Sequence, residues 1–264
     1  MIRRRRVFAL CSLAAPGSWL AAQAQGAVGS GQRGTLRVAA ASDVQFALVE
    51  IAALFEQEFG IKLLLQFGSS GNLSRQIRQG LAVDVFLSAD EAYVFQLVDA
   101  QLTRGRGQRY AKGRLVLLAP RASGLVLDEQ MEGLRSGIAG VQRFAIANPD
   151  HAPYGRAARE ALQSLGMWDL LQPRLVLGEN VSQAAQFVAS GAAQAGITAL
   201  SLVRTPQVER LTQHRLLPER LHQPLLQRMV VLKSAPSGAE QLVDFMRRPA
   251  TQALLRRHGF VDPP

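Results

Sequence analysis

Cysteine is nearly absent from this chain. The single cysteine among 264 residues is Cys11, close to the N-terminus. One cysteine excludes a disulfide framework, and its position leaves the rest of the chain without a thiol nucleophile or a thiolate metal site. That lack suits export to an oxidising compartment. Long apolar runs are also missing. None approaches 18 residues, so no membrane-spanning helix is expected. Histidine is scarce: His151, His214, His222 and His258 stand alone in sequence, and none belongs to an HExxH or other metal-spaced group. The Gly68-Ser69-Ser70-Gly71 turn is not a GxSxG nucleophile elbow. Glu56 with Glu58, and Asp84 with Asp90, read as helix-surface or turn residues and not as an acid/base pair. A hydrolase is therefore the minor reading, and no enzyme activity is expected.

The basic balance, +10 overall, is carried partly by Arg3 to Arg6. These four arginines and the apolar stretch Val7 to Leu20 precede a small-x-small site, Ala22-Gln23-Ala24. This is the pattern of a secretory signal peptide over residues 1–24. Its removal takes four positive charges and leaves +6. Arg104 to Arg114 is the densest remaining basic cluster, and it belongs to no nucleic-acid module, so it reads as a solvated surface and nucleic acid is not an expected partner. Residues 25–34 are rich in Gly, Ser and Gln and read as a loose mature N-terminus. Their Gly29-x-Gly31-x-x-Gly34 spacing precedes the first strand, so it lacks the strand-turn-helix context of a dinucleotide site.

From Thr35 onward apolar patterning alternates between strand and helix. Thr35–Ala41, Ile61–Phe67 and Val83–Ala89 read as strands. Val44, Leu48, Ile51, Phe55 and Phe59 mark a helix that Gly60 ends. Helices are also expected up to Gly80 and over Glu91–Ala100. A second alternation runs from Phe144 to Ala199, with helices near Tyr154–Leu165 and Val181–Ser190, and Leu211–Leu217 is read as extended. Gln227–Lys233 and two C-terminal helices form a tail too short for its own domain. The expected fold is therefore α/β with two lobes, each a mostly parallel sheet flanked by helices. Lobe I is assigned residues 35–117 and 228–264, and the inserted lobe II residues 118–227.

Small polar residues cluster where strands meet helices. Phe67-Gly68-Ser69-Ser70-Gly71-Asn72 is one such turn, and Ala40-Ala41-Ser42-Asp43 is a second. Ala152-Pro153-Tyr154-Gly155 and Gly178-Glu179-Asn180-Val181 open helices in the other half. Each turn alone reads as a helix cap. In open α/β sheets, however, ligands bind beyond the carboxyl ends of strands. Helix N-termini from two lobes facing one cleft would seat a compact anion. A fully ionised tetrahedral oxyanion carries only acceptors, so serine hydroxyls and main-chain N–H groups suffice. A protonated anion such as phosphate would need an acceptor as well, and a hard cation would need converging carboxylates.

Several segments resemble one known family. They are Val38-Ala39-Ala40-Ala41-Ser42, Phe67-Gly68-Ser69-Ser70-Gly71-Asn72-Leu73-Ser74-Arg75-Gln76-Ile77, Val83-Asp84-Val85-Phe86-Leu87-Ser88-Ala89-Asp90, Asn148-Pro149-Asp150-His151-Ala152-Pro153-Tyr154-Gly155 and Arg257-His258-Gly259-Phe260. Together they resemble the periplasmic molybdate-binding proteins of molybdate ABC transporters, which have the type II periplasmic binding protein fold. The resemblance implies a ligand in the interlobe cleft, molybdate and also tungstate, with sulfate or phosphate as the alternative. It implies hydroxyl donors at Ser42 and Ser70 and main-chain donors at Asp43, Ser70, Tyr154 and Val181. Molybdenum would enter only as its oxyanion, with no direct protein–metal ligand and no cofactor. An ABC permease is the implied partner, the periplasm the location, and a monomer the state. A tyrosine that some members use falls here on Ala199. The Asp43 carboxylate is expected to point away from the cleft, at the helix N-terminus.

Overall fold

The computed structural model describes residues 34–264. The expected signal peptide and the segment from 25 to 33 lie outside the described residues. Within them the strands are β1 Thr35–Ala41, β2 Lys62–Gly68, β3 Val85–Ser88, β4 Gln108–Lys112, β5 Leu115–Pro120, β6 Phe144–Ala147, β7 Leu175–Gly178, β8 Ala195–Ala199, β9 Thr212–Leu216 and β10 Leu226–Val231. The helices are α1 Gln45–Phe59, α2 Ser70–Arg78, α3 Glu91–Asp99, α4 Glu132–Ser136, α5 Pro153–Ser164, α6 Trp168–Leu171, α7 Val181–Ala189, α8 Leu200–Val203, α9 Pro206–Leu211, α10 Gly238–Arg247 and α11 Pro249–Arg257.

Two five-stranded sheets result, ordered β2-β1-β3-β10-β4 and β7-β6-β8-β5-β9. Each has the same plan. Four strands point the same way, and one, β10 in the first sheet and β5 in the second, runs antiparallel to both of its neighbours. The sheets are therefore mostly parallel, as the strand-helix alternation predicts, with one reversed strand each. The reversed strand is the one by which the chain enters the sheet after crossing from the other. β4 ends at Lys112 in the first and β5 starts at Leu115 in the second, while β9 ends at Leu216 and β10 returns at Leu226.

Burial explains why the tail returns. Ala47, Leu48, Ile51 and Phe55 form the inner stripe of α1, and Leu242, Phe245 and Met246 that of α10. Phe55, Phe59 and Phe245 stack at centroid distances of 4.8, 5.4 and 6.0 Å. Such aromatic pairs add roughly 0.5–1.5 kcal/mol each beyond area burial. These contacts fix the C-terminal helices to the first sheet.

β4 falls inside the basic cluster read as surface. Tyr110 and Ala111 are buried there, and Arg109 pairs with Glu91 at 2.9 Å. Strand pairing and one ion pair thus override a composition that reads as solvated. Residues 206–217, read as extended near the end, fold as α9 followed by β9.

Candidate functional site

Three helix N-termini, those of α2, α5 and α7, and the 3-10 turn Ser42–Val44 that leads into α1 converge on one small cavity. It is lined by Ala41, Ser42, Asp43, Gly68, Ser69, Ser70, Ala89, Ala152, Pro153, Tyr154 and Val181. All five residues singled out in the sequence, Ser42, Asp43, Ser70, Tyr154 and Val181, are therefore brought together. The first three follow β1 and β2 of the first sheet, and the last two open α5 and α7 beside the second. Its free volume, about 10 Å³, is far below the roughly 300–1,000 Å³ that organic ligands usually occupy, so it excludes them. A much larger, open groove, about 1000 Å³, runs along α7, α8 and α9. It is mainly apolar and gathers no comparable set of helix starts.

The cavity wall is rich in donors. Ser70 stands at the first position of α2 and is fully buried. Its Oγ accepts the Ala89 N–H at 3.0 Å, so the group it has left to offer is its own O–H. Ser42 Oγ accepts the Ser182 N–H at 3.4 Å and is placed the same way. The side chain of Asn180 caps α7 by accepting the N–H groups of Ser182 and Gln183. That leaves the Val181 N–H as the free donor of the first turn. Pro153 has no N–H, so the first donor of α5 is Tyr154. No lysine, arginine or histidine is among the lining residues. Attraction for an anion would come from oriented dipoles and hydroxyls, and selection from size.

Neither serine of the SSGN turn caps α2 with its side chain, contrary to the simple capping reading. Ser69 Oγ instead lies 2.9 Å from His151 Nδ1. Contacts of this kind close the cavity from both sides. Gly71 N–H donates to the His151 carbonyl at 2.9 Å, Gln45 Nε2 to Ser182 Oγ at 3.0 Å, and Ser201 Oγ to the Asp43 carbonyl at 2.7 Å. Arg156 pairs with Asp90 at 2.6 Å. Ser69 and His151 both lie inside the sequence motifs, 82 positions apart, and only their pairing is not legible there.

The Asp43 carboxyl stands by the backbone N–H groups of Asp43 and Val44, at the start of its own helical turn. The side chain is 1% exposed and turned into a buried polar cluster. Gln227 Nε2 donates to Asp43 Oδ2 and lies 3.4 Å from the Tyr154 hydroxyl. The Tyr110 hydroxyl donates to Gln227 Oε1 at 2.5 Å. Burial pushes the Asp43 carboxyl up to about 6, against the opposing pull of Gln227, of Tyr154 and of the Asp43 and Val44 backbone N–H groups near it. Burial, and then the Asp43 charge, hold both tyrosines well above their ordinary range. The Tyr154 hydroxyl therefore serves this cluster, and only its backbone end reaches the cavity start of α5. Ala199 is buried at the end of β8, opposite Leu115, and does not line the cavity. Gln227 carries no local sequence signal, because its partners lie 184, 117 and 73 positions away.

Comparison with known proteins places this arrangement. The family model for bacterial extracellular solute-binding proteins matches residues 36–261. The chain is 35% identical over 215 residues to the molybdate-binding protein ModA of Rhodobacter capsulatus, covering 80% of this chain and 82% of the relative. It is 32% identical over 232 residues to ModA of Azotobacter vinelandii, covering 87% and 90%. The solved periplasmic molybdate-binding protein of Azotobacter vinelandii superposes with a TM-score of 0.80 at 33% identity, over 87% of this chain and 100% of that one.

Proposed function

This chain belongs to the bacterial extracellular solute-binding protein family, and we propose that within it the protein is a receptor that captures molybdate. The convergence of three helix N-termini, the Ser42–Val44 turn and two serine hydroxyls on one small cavity without a lining cation carries this reading. It is supported by the relatives, which are named for molybdate binding. The proposed ligand contacts are the hydroxyls of Ser42 and Ser70 and the main-chain N–H groups of Asp43, Ser70, Tyr154 and Val181. Hydrogen bonds to a charged ligand contribute roughly 1.5–3 kcal/mol each, so such a set can offset desolvation of a dianion.

The proposed lobes are built on the two sheets, the first completed by the C-terminal segment and the second inserted in it. They close around the anion by hinge motion, and the contacts across the cavity are what closure forms. Tungstate, with the same shape and charge, is a second ligand. The loaded monomer works in the periplasm and passes its anion to an ABC permease. It acts by binding and release, without turnover or cofactor. Molybdenum is bound only as its oxyanion, with no direct protein–metal ligand.

Thermal unfolding in the presence of molybdate, tungstate, sulfate and phosphate tests this. A ligand at a hundred times its dissociation constant adds about 2.7 kcal/mol. Molybdate and tungstate should raise the melting temperature by several degrees, and sulfate and phosphate by much less. Equal stabilisation by sulfate would remove the size-selective reading.

A further inference from the structure

Asp43 is the one carboxylate in the wall of the cavity. Its Oδ2 is held by Gln227, while its Oδ1 is buried and has no hydrogen-bond partner among the described residues. A buried, unpartnered oxygen beside an anion seat is costly in its charged form. The elements packed around it supply no compensating cation. Tyr110 on β4, Gln227 on β10 and Tyr154 on α5 face it, and all are uncharged near neutral pH. The cations on those same elements act elsewhere, Arg159 of α5 included, which is only partly buried and is not among the groups acting on Asp43. Arg109 and Arg228 pair with Glu91, Lys112 with Glu219, and Arg156 with Asp90 and Glu160. The segments Val181–Ala189 and Leu200–Val203, also against it, contain no ionisable residue.

We infer that Asp43 determines the charge state the seat accepts: the anion is captured together with one proton, carried on Asp43 Oδ1, whose O–H then donates to an anion oxygen. The proton removes the repulsion between a carboxylate and a dianion and turns an acceptor into one more donor. The step forms one O–H bond on the carboxyl and breaks one bond to hydrogen in hydronium or the buffer acid that donates the proton. The raised affinity of this carboxyl for protons, near pH 6, makes the proton available at little cost. The inference rests on the reading of the cavity as an anion seat.

Calorimetric titration of dilute molybdate into the whole exported chain, from pH 6 to pH 8.5 and in buffers of different ionisation enthalpy, counts the protons directly. At pH 8 close to one proton should be taken up per anion. Between pH 6 and pH 8 affinity should fall by more than about tenfold, as linkage to one group requires. In Asp43→Asn the amide supplies a permanent donor, so uptake should vanish, the pH dependence should flatten, and binding at pH 8 should be tighter than in the wild type. Binding with constant affinity and no proton uptake in the wild type would overturn the inference and leave the receptor reading standing. No heat of binding at any pH would remove the seat itself, and the inference with it. The proton count uses the unaltered protein, so it holds even where the variant fails to fold.

Discussion

The amide of Gly71 donates to the carbonyl of His151 at 2.9 Å, joining the turn after β2 to the loop after β6. The approach leaves no room for a side chain. A Cβ on Gly71 would stand 2.6 Å from the His151 oxygen and 3.0 Å from the Tyr93 ring. Gly71→Ala should therefore oppose closure more than folding. Overpacking of this kind costs about 1–3 kcal/mol, which corresponds to roughly a fivefold to hundredfold loss of affinity for molybdate. Calorimetric titration checks it, with the ligand-free melting temperature as the control that should move little. Undiminished affinity would show that the bound form does not use this contact.

The two serines separate binding from stability. Ser42→Ala and Ser70→Ala should each weaken molybdate binding by about tenfold to a hundredfold, the equivalent of one hydrogen bond to a charged group. Their ligand-free stabilities should differ. Ser70 Oγ is the partner of the buried Ala89 N–H at 3.0 Å, and leaving that donor unpaired costs about 1–3 kcal/mol. The Ser42 contact to Ser182 is longer, 3.4 Å, so its loss should shift unfolding less. Denaturant melts of both variants without anion provide the comparison. A Ser70→Ala protein as stable as Ser42→Ala would contradict the assigned role of Ala89.

Asp43 also makes stability depend on pH, and the direction is opposite to that of a salt-bridged acid. In the unfolded chain its carboxyl gives up its proton near the ordinary 3.8, whereas in the fold burial holds the proton to about 6. Between those values the folded state binds more protons. Its contribution is therefore fully present below pH 4, falls as pH rises to 6, and stays reduced above it. The shift corresponds to about 3 kcal/mol at most. Asp43→Asn should accordingly melt several degrees above the wild type at pH 8, and the gap should close below pH 4. A gap independent of pH would show that the carboxyl titrates normally.

Much of the site is legible in the sequence because its chemistry lies in short, local turns. Ser42, Ser70, Tyr154 and Val181 each stand in the first turn of a helical segment that follows a strand, and that pattern shows through apolar periodicity and small residues alone. The tail's return to the first sheet is legible as well, since an element count leaves it no partner of its own. What the sequence does not show depends on long-range pairing. β4 looks like solvated basic chain until Arg109 meets Glu91 and Tyr110 meets Gln227. The side-chain partner of Asp43, Gln227, lies 184 positions away, beyond the adjacent helix start on which the local reading relies. The reversed strands likewise follow from where the chain crosses between sheets, which no window of sequence contains.

The central claim is that this cavity selects one tetrahedral dianion by size, using neutral donors. The most direct measurement is calorimetric competition, in which molybdate is titrated into the whole exported chain with and without a large excess of sulfate. The expected result is one molybdate per chain, with a dissociation constant on the order of micromolar or tighter, barely changed by sulfate and weakened sharply when Ser42 and Ser70 are both replaced by alanine. Displacement of molybdate by equimolar sulfate, or binding that survives the loss of both serines, would contradict it.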